Sequence, residues 1–132
     1  MHLIVCIEDH DGMSFCGRRL SSDRILTEYI LQLTAENALW MNAYSANIFP
    51  QNAVHVDEDF LQKAGIGEYC FVETEKLTQL PDLESIILCK WNRCYPATCK
   101  FPRELLKGMS LKHREDFPGN SHDKITVERY VL

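Results

Sequence analysis

The stretch from Leu20 to Leu33 constrains this chain more than any other. Ile25, Leu26, Tyr29, Ile30 and Leu33 recur at helical spacing, which predicts a helix with one buried face. Upstream, Leu3-Ile4-Val5-Cys6-Ile7 is an apolar run of strand length, and Asp11-Gly12-Met13 reads as a turn. Strand, turn and helix in that order open an α/β sheet. Ser21 or Ser22 can cap the helix by accepting a hydrogen bond from a free backbone N–H, which puts Asp23 in the first turn. A carboxylate there complements the helix dipole. It also stands at the strand-to-helix edge, where open α/β sheets bind their ligands.

The remaining sequence extends the same pattern, with no repeat, low-complexity segment or internal linker. A strand around Leu39-Trp40-Met41 leads to a short helix over Tyr44 to Phe49, stopped by Pro50. Ala53 to Val56 is a short strand. Asp57 to Gly65 reads as an acid-started helix with a glycine stop. A buried strand lies within Glu68 to Glu73, a short turn of helix near Leu77, and a continuous apolar strand over Ser85 to Trp91. Ile125, Val127 and Tyr130 alternate in a closing strand. The expected fold is α/β, with a mostly parallel central sheet, an antiparallel C-terminal end and helices on both faces. With 132 residues, 45% of them hydrophobic, the chain can bury a core as one domain over 1–132.

Composition narrows the setting. No run approaches the ~20 apolar residues that cross a bilayer. The N-terminus enters a strand directly, without a basic region and long apolar stretch, so a cytoplasmic protein is expected. Cys6, Cys70 and Cys89 sit in apolar runs and read as small buried hydrophobes of a reducing compartment. Cys94 and Cys99 flank a turn without the spacing of a structural zinc site. His2, His10, His55, His113 and His122 are scattered, so no metal is expected. The net charge of −5 gives no global support to nucleic-acid binding, although a local basic cluster keeps short RNA among the ligands to test.

The order of motifs resembles dihydrofolate reductases. Strand Leu3–Ile7, the Gly12-Met13 turn and Leu20-Ser21-Ser22-Asp23 before a helix are similar to that family's opening. Leu39 to Ser45 looks like its second strand running into a Met-Gly-Arg-x-Thr turn. Leu83 to Cys94 looks like its late strand, and Cys99-Lys100-Phe101-Pro102 like its Thr-His-Phe-Pro. Asn120-Ser121-His122 and Ile125 to Tyr130 resemble its closing strand. The resemblance implies a dihydrofolate reductase-like fold over nearly the whole chain. It also gives Asp23 the place of the carboxylate that anchors the pterin ring, with Cys89 near the threonine that assists it.

Departures from the family pattern fall on the cofactor half. Only Pro50-Gln51-Asn52 separates Phe49 from the Ala53 strand, so a strand and loop of the family look deleted. The glycine and arginine of Met-Gly-Arg-x-Thr fall on Asn42 and Ala43, and Ser45 alone keeps a hydroxyl. The family's Gly-Gly falls on Glu73-Thr74, where a carboxylate repels a diphosphate and a side chain blocks backbone approach. No normal NADPH site, and no other cofactor, is expected.

The expected function is a small-molecule enzyme or binder on the Asp23 side of the cleft, taking a pterin-like or a phosphorylated, nucleotide-like ligand. Asp23 would bind or shuttle a proton. Arg18, Arg19, Arg24 and Arg93 would converge to hold an anion bidentately, with Ser22, Tyr44, Ser45 and Trp91 on the pocket wall. Two other readings stand beside it. One is a non-catalytic interaction module. The other is a metal-independent ribonuclease or phosphodiesterase using His122 with Ser121 and Lys124, since the chain also resembles small bacterial proteins described as ribonucleases. The shortened half would leave sheet edges exposed, which makes a homodimer an expectation.

Overall fold

The computed structural model describes residues 1–132 apart from Gln51, Gln79 and Pro81. The Pro50-Gln51-Asn52 link therefore lies partly outside the described residues. Among the described residues ten strands run in chain order: β1 (His2–Ile7), β2 (Gly12–Phe15), β3 (Arg18–Arg19), β4 (Leu39–Met41), β5 (His55–Val56), β6 (Tyr69–Val72), β7 (Ser85–Lys90), β8 (Cys99–Lys100), β9 (Ser110–Phe117) and β10 (Ile125–Val131). Among the described residues there are three α-helices, α1 (Arg24–Leu33), α2 (Ala43–Ala46) and α3 (Phe60–Lys63), and a 3-10 turn at Arg103–Leu106. No helix among them is long and apolar enough to cross a membrane.

Seven strands form one sheet in the order β5-β4-β6-β1-β7-β10-β9. The pairs from β5 to β7 are parallel, whereas β10 is antiparallel to both β7 and β9. β2, β3 and β8 make a small second sheet. Strand β1 sits at the centre, flanked on both sides, and reads as an unbroken apolar run for that reason. Its side chains split between two cores. Ile4 and Cys6 face α1, packing with Leu26 and Ile30. Leu3, Val5 and Ile7 face the other side, with Phe60 of α3.

Several local expectations need correction. Asp23 is the N-cap of α1 and lies before its first turn; its side chain accepts from Ile25 N–H, so neither Ser21 nor Ser22 caps the helix. The helix expected over Asp57 to Gly65 shrinks to the single turn Phe60–Lys63, because Asp57 folds back to bind Asp59 N–H and Lys63. No helical turn occurs near Leu77 among the described residues; Leu77 is buried as part of the Phe60 core. Strand β9 had no signal, since Lys112 to Asp116 are charged throughout. It is an exposed edge whose order comes from pairing with β10.

Candidate functional site

Asp23 stands where β1, α1 and the loop between β9 and β10 meet. Its Oδ1 accepts from Ile25 N–H and Asn120 N–H, both at 2.9 Å. Its Oδ2 accepts from Ser121 N–H at 2.9 Å and Ser121 Oγ at 3.3 Å. His122 Nδ1 completes the set at 2.9 Å from Oδ2. The carboxylate is fully enclosed. Burial alone would raise its pKa. Hydrogen bonds from Asn120, His122, Ser121 and Ile25 overcome that and hold it well below the usual carboxylate range. Among the described residues no arginine side chain hydrogen-bonds to it or pairs with it.

The loop that delivers these donors packs tightly on Asp23. A Cβ on Gly119 would stand 2.6 Å from Asp23 Oδ2 and 2.9 Å from Ile125 Cδ1, so only glycine fits the approach. Gly119 N–H also binds His122 carbonyl at 2.9 Å, closing the turn. Two arginines hold this loop from outside. Arg93 Nη2 donates to Ser121 carbonyl at 3.0 Å, and Arg24 Nη2 to Asn120 Oδ1 at 3.4 Å.

His122 stands in the sequence reading only beside Ser121 and Lys124; its pairing with Asp23 is what sequence reasoning missed. His122 is buried, and stacks on Trp91 with ring centroids 4.6 Å apart. Because Asp23 can only accept, Nδ1 carries the proton in their shared bond, and Nε2 is left facing outward from the pair. Nε2 lies 3.0 Å from Ser21 Oγ and 3.2 Å from Tyr95 Oη. Carboxylate, imidazole and hydroxyl thus stand in line, an arrangement that can move a proton to or from the hydroxyl.

The second half of the site is built differently. Glu73, at the end of β6, is buried and takes Arg19 Nε at 3.0 Å and Arg19 Nη2 at 3.1 Å. Ser45 Oγ donates to the same carboxylate at 2.8 Å. The Arg19 guanidinium lies 4.3 Å over the Tyr44 ring and also binds Tyr44 carbonyl. Nearby, Ala43 N–H donates to Glu58 at 2.9 Å, and Asn42 Nδ2 to Glu75. Residues 42–45 are therefore ringed by three carboxylates of the chain itself.

A cleft of about 460 Å³ opens beside Asp23. Ser22, Arg24, Thr27, Glu28 and Leu31 form one wall, and Ile48 and Pro50 the other. It adjoins a narrow crevice lined by Cys6, Ser21, Phe49, Glu73 and Trp91. Of the residues expected at the site, Ser22 and Arg24 line the cleft mouth and Trp91 the crevice. Arg19, Tyr44 and Ser45 are engaged with Glu73, and Arg93 braces the Ser121 loop. Arg18 is exposed on β3. Cys89 is buried against α1 in the core.

A parallel sheet with an antiparallel end, and a cleft beside the first helix, define a dihydrofolate reductase-like fold. The solved structure of a dihydrofolate reductase from Enterococcus faecalis, complexed with NADP(H) and RAB-propyl, is similar over 98% of this chain and 94% of its own. The TM-score is 0.70 and the sequence identity 10%, so the likeness is one of fold. No protein-family model matches the chain, and no curated protein matches it.

Proposed function

We propose that this chain, acting as one domain over residues 1–132, is a small-molecule enzyme that moves a proton between His122 and the Ser21 hydroxyl, with Asp23 holding the imidazole. The observation that carries this reading is the buried 2.9 Å contact between Asp23 and His122, with Nε2 turned to the Ser21 hydroxyl on the crevice wall. Ser21 meets the ligand, His122 accepts or returns the proton, and Asp23 is the positioning residue that fixes the tautomer. Arg24 at the cleft mouth supplies a forked cation, which suits an anionic ligand. Both Asp23 oxygens are already taken by the chain's own donors, which favours a phosphorylated, nucleotide-like ligand over a pterin held by an open carboxylate.

The same reading leaves out NADPH bound in the family's manner. What supports this is Glu73, buried with Arg19 where the resemblance puts Gly-Gly, and the carboxylates of Glu58 and Glu75 around residues 42–45. A converging polar cluster favours an enzyme over an interaction module. The exposed large hydrophobics Phe15, Val56, Ile66, Leu111 and Leu132 are spread over separate elements. A ribonuclease using His122 with Ser121 and Lys124 is disfavoured because the Ser121 hydroxyl lies on the enclosed Asp23 side, against Asp23, the Ser22 carbonyl and His122 Nδ1. A homodimer would use the short exposed edge β5 rather than charged β9, and a monomeric sedimentation profile at high concentration removes it.

The test is the melting temperature across NADPH, dihydrofolate, nucleoside phosphates and short RNA. A ligand at 100 times its dissociation constant stabilises the fold by about 2.7 kcal/mol. The expected result is a shift with a nucleoside phosphate, lost in Arg24→Ala, with turnover of that ligand lost in Ser21→Ala and His122→Gln. A shift with NADPH contradicts the reading of Glu73, and a shift with no ligand turns the search to protein partners.

A further inference from the structure

On the far side of Tyr95 from His122, three side chains of different chemistry meet: Glu8 at the end of β1, His10 in the turn after it, and Cys94 in the loop after β7. Their ligand atoms all lie within 4.8 Å of one another. His10 Nδ1 stands 3.4 Å from Glu8 Oε1 and 3.7 Å from Cys94 Sγ, and Asp9 Oδ2 lies 3.6 Å from the same sulfur. The nitrogen–oxygen separation is long for a hydrogen bond, where about 2.9 Å is usual. It is the right length for the edge of a coordination tetrahedron. Zinc bonds of about 2.0–2.1 Å to nitrogen and oxygen and about 2.3 Å to sulfur give edges of about 3.3 Å and about 3.6 Å.

Glu8 provides an independent sign. Its side chain is 1% exposed. Oε2 is tied down by Gly12 N–H at 2.6 Å and His10 N–H at 2.8 Å. Oε1 has only the 3.4 Å approaches of His10 Nδ1 and Tyr95 N–H. A buried carboxylate is thus fixed by one oxygen while the other is aimed, poorly partnered, at the imidazole and the thiol. The short contacts to Oε2 hold the carboxylate in place, and the two to Oε1 are the longest it makes, which leaves that oxygen the one free to take a cation. The frame is already in place. Asp11 N–H binds Glu8 carbonyl at 3.0 Å, and Asp9 N–H binds Arg93 carbonyl at 3.0 Å, so the turn and the Cys94 loop are held together.

We propose that Glu8, His10 and Cys94 bind a divalent cation of the zinc class, with a solvent oxygen as the fourth ligand. Thiolate and imidazole together select a borderline-soft ion over magnesium or calcium, which take oxygen ligands in larger shells. Binding releases the Cys94 proton to solvent and joins the β1–β2 turn to the β7–β8 loop. Tyr95 follows Cys94 directly, so the ion also steadies the hydroxyl that faces His122.

The experiment uses the full chain, stripped with chelator under reducing conditions and titrated with Co²⁺. One equivalent should develop the intense visible bands of tetrahedral cobalt and a thiolate-to-cobalt charge-transfer band, both erased by Zn²⁺. Cys94→Ser should lose the charge-transfer band, and His10→Ala, which keeps the thiol, should lose the tetrahedral spectrum. Cys16→Ser, at an exposed cysteine away from the cluster, should change nothing. No charge-transfer band at one equivalent, or a band that survives Cys94→Ser, overturns the proposal.

Discussion

Two buried carboxylates sit at the same edge of the sheet, and they are put to opposite uses. Glu73 is paired with Arg19, a guanidinium that stays charged at every accessible pH, and with the Ser45 hydroxyl. The donors around it go to Glu73, Glu58, Glu75 and the Tyr44 carbonyl, so this half of the cleft is closed by the chain's own groups. Asp23 is paired with an imidazole, whose second nitrogen remains turned toward hydroxyls on a crevice. A permanently charged partner makes a plug. A titratable partner with a second face makes a relay. The chemistry of the partner, more than the burial of the acid, separates a structural ion pair from a candidate site.

The largest effect should come from Asp23→Ala. It removes the α1 cap, worth about 1 kcal/mol, and leaves Asn120, Ser121 and His122 N–H groups facing no acceptor, for a total near ~4 kcal/mol by chemical denaturation. Next is Glu73→Leu, which strands the Arg19 charge and should cost about 3 kcal/mol; adding Arg19→Met should recover most of it. If the double variant stays as unstable as the single one, the plug description fails. Gly119→Ala should cost about 2 kcal/mol, because the added methyl meets Asp23 and Ile125. A cost near zero would mean that the loop is looser on Asp23 than the distances imply.

Acid should act on the Asp23 half. Hydrogen bonds hold Asp23 below its ordinary value of 3.8 in the folded chain. A depressed folded pKa contributes stability that is complete above the unfolded value and is lost as pH falls through about 4 and below. The melting temperature of the wild type should therefore drop more steeply below pH ~4 than that of Asp23→Asn, which has no carboxylate to protonate. Parallel acid limbs would assign that loss to Glu8 and Glu84, whose pKa values are also lowered. The smallest stability change belongs to His122→Gln, about 1 kcal/mol, since an amide can still donate to Asp23. Its effect should instead fall on turnover of whatever ligand the cleft holds.

Much of the frame was legible because it is local. The apolar runs of β1 and β7 and the periodicity of α1 carry their own signal, and each lies where the pattern puts it. Strand β9 was not legible: its charged residues are ordered only by a neighbour, through backbone hydrogen bonds that no side-chain pattern reports. The site was half legible. Asp23 stands out from its place before a helix, yet its partner His122 lies 99 residues away. Arg19 and Glu73 were each visible as charges in the cleft. That they cancel one another depends on a fold that brings positions 54 apart into contact. Glu8, His10 and Cys94 were hidden for the same reason, since ligand spacing rules look within a segment and not across two loops.

The central claim is that Asp23 fixes His122 with Nδ1 protonated and Nε2 open. It is tested most directly by the ¹⁵N imidazole spectrum of the protein near neutral pH, compared with that of Asp23→Asn. The account predicts the Nδ1–H tautomer in the wild type, with its proton shifted strongly downfield, and loss of that signal in the variant. An Nε2–H tautomer in the wild type, or the same spectrum in both proteins, would contradict it.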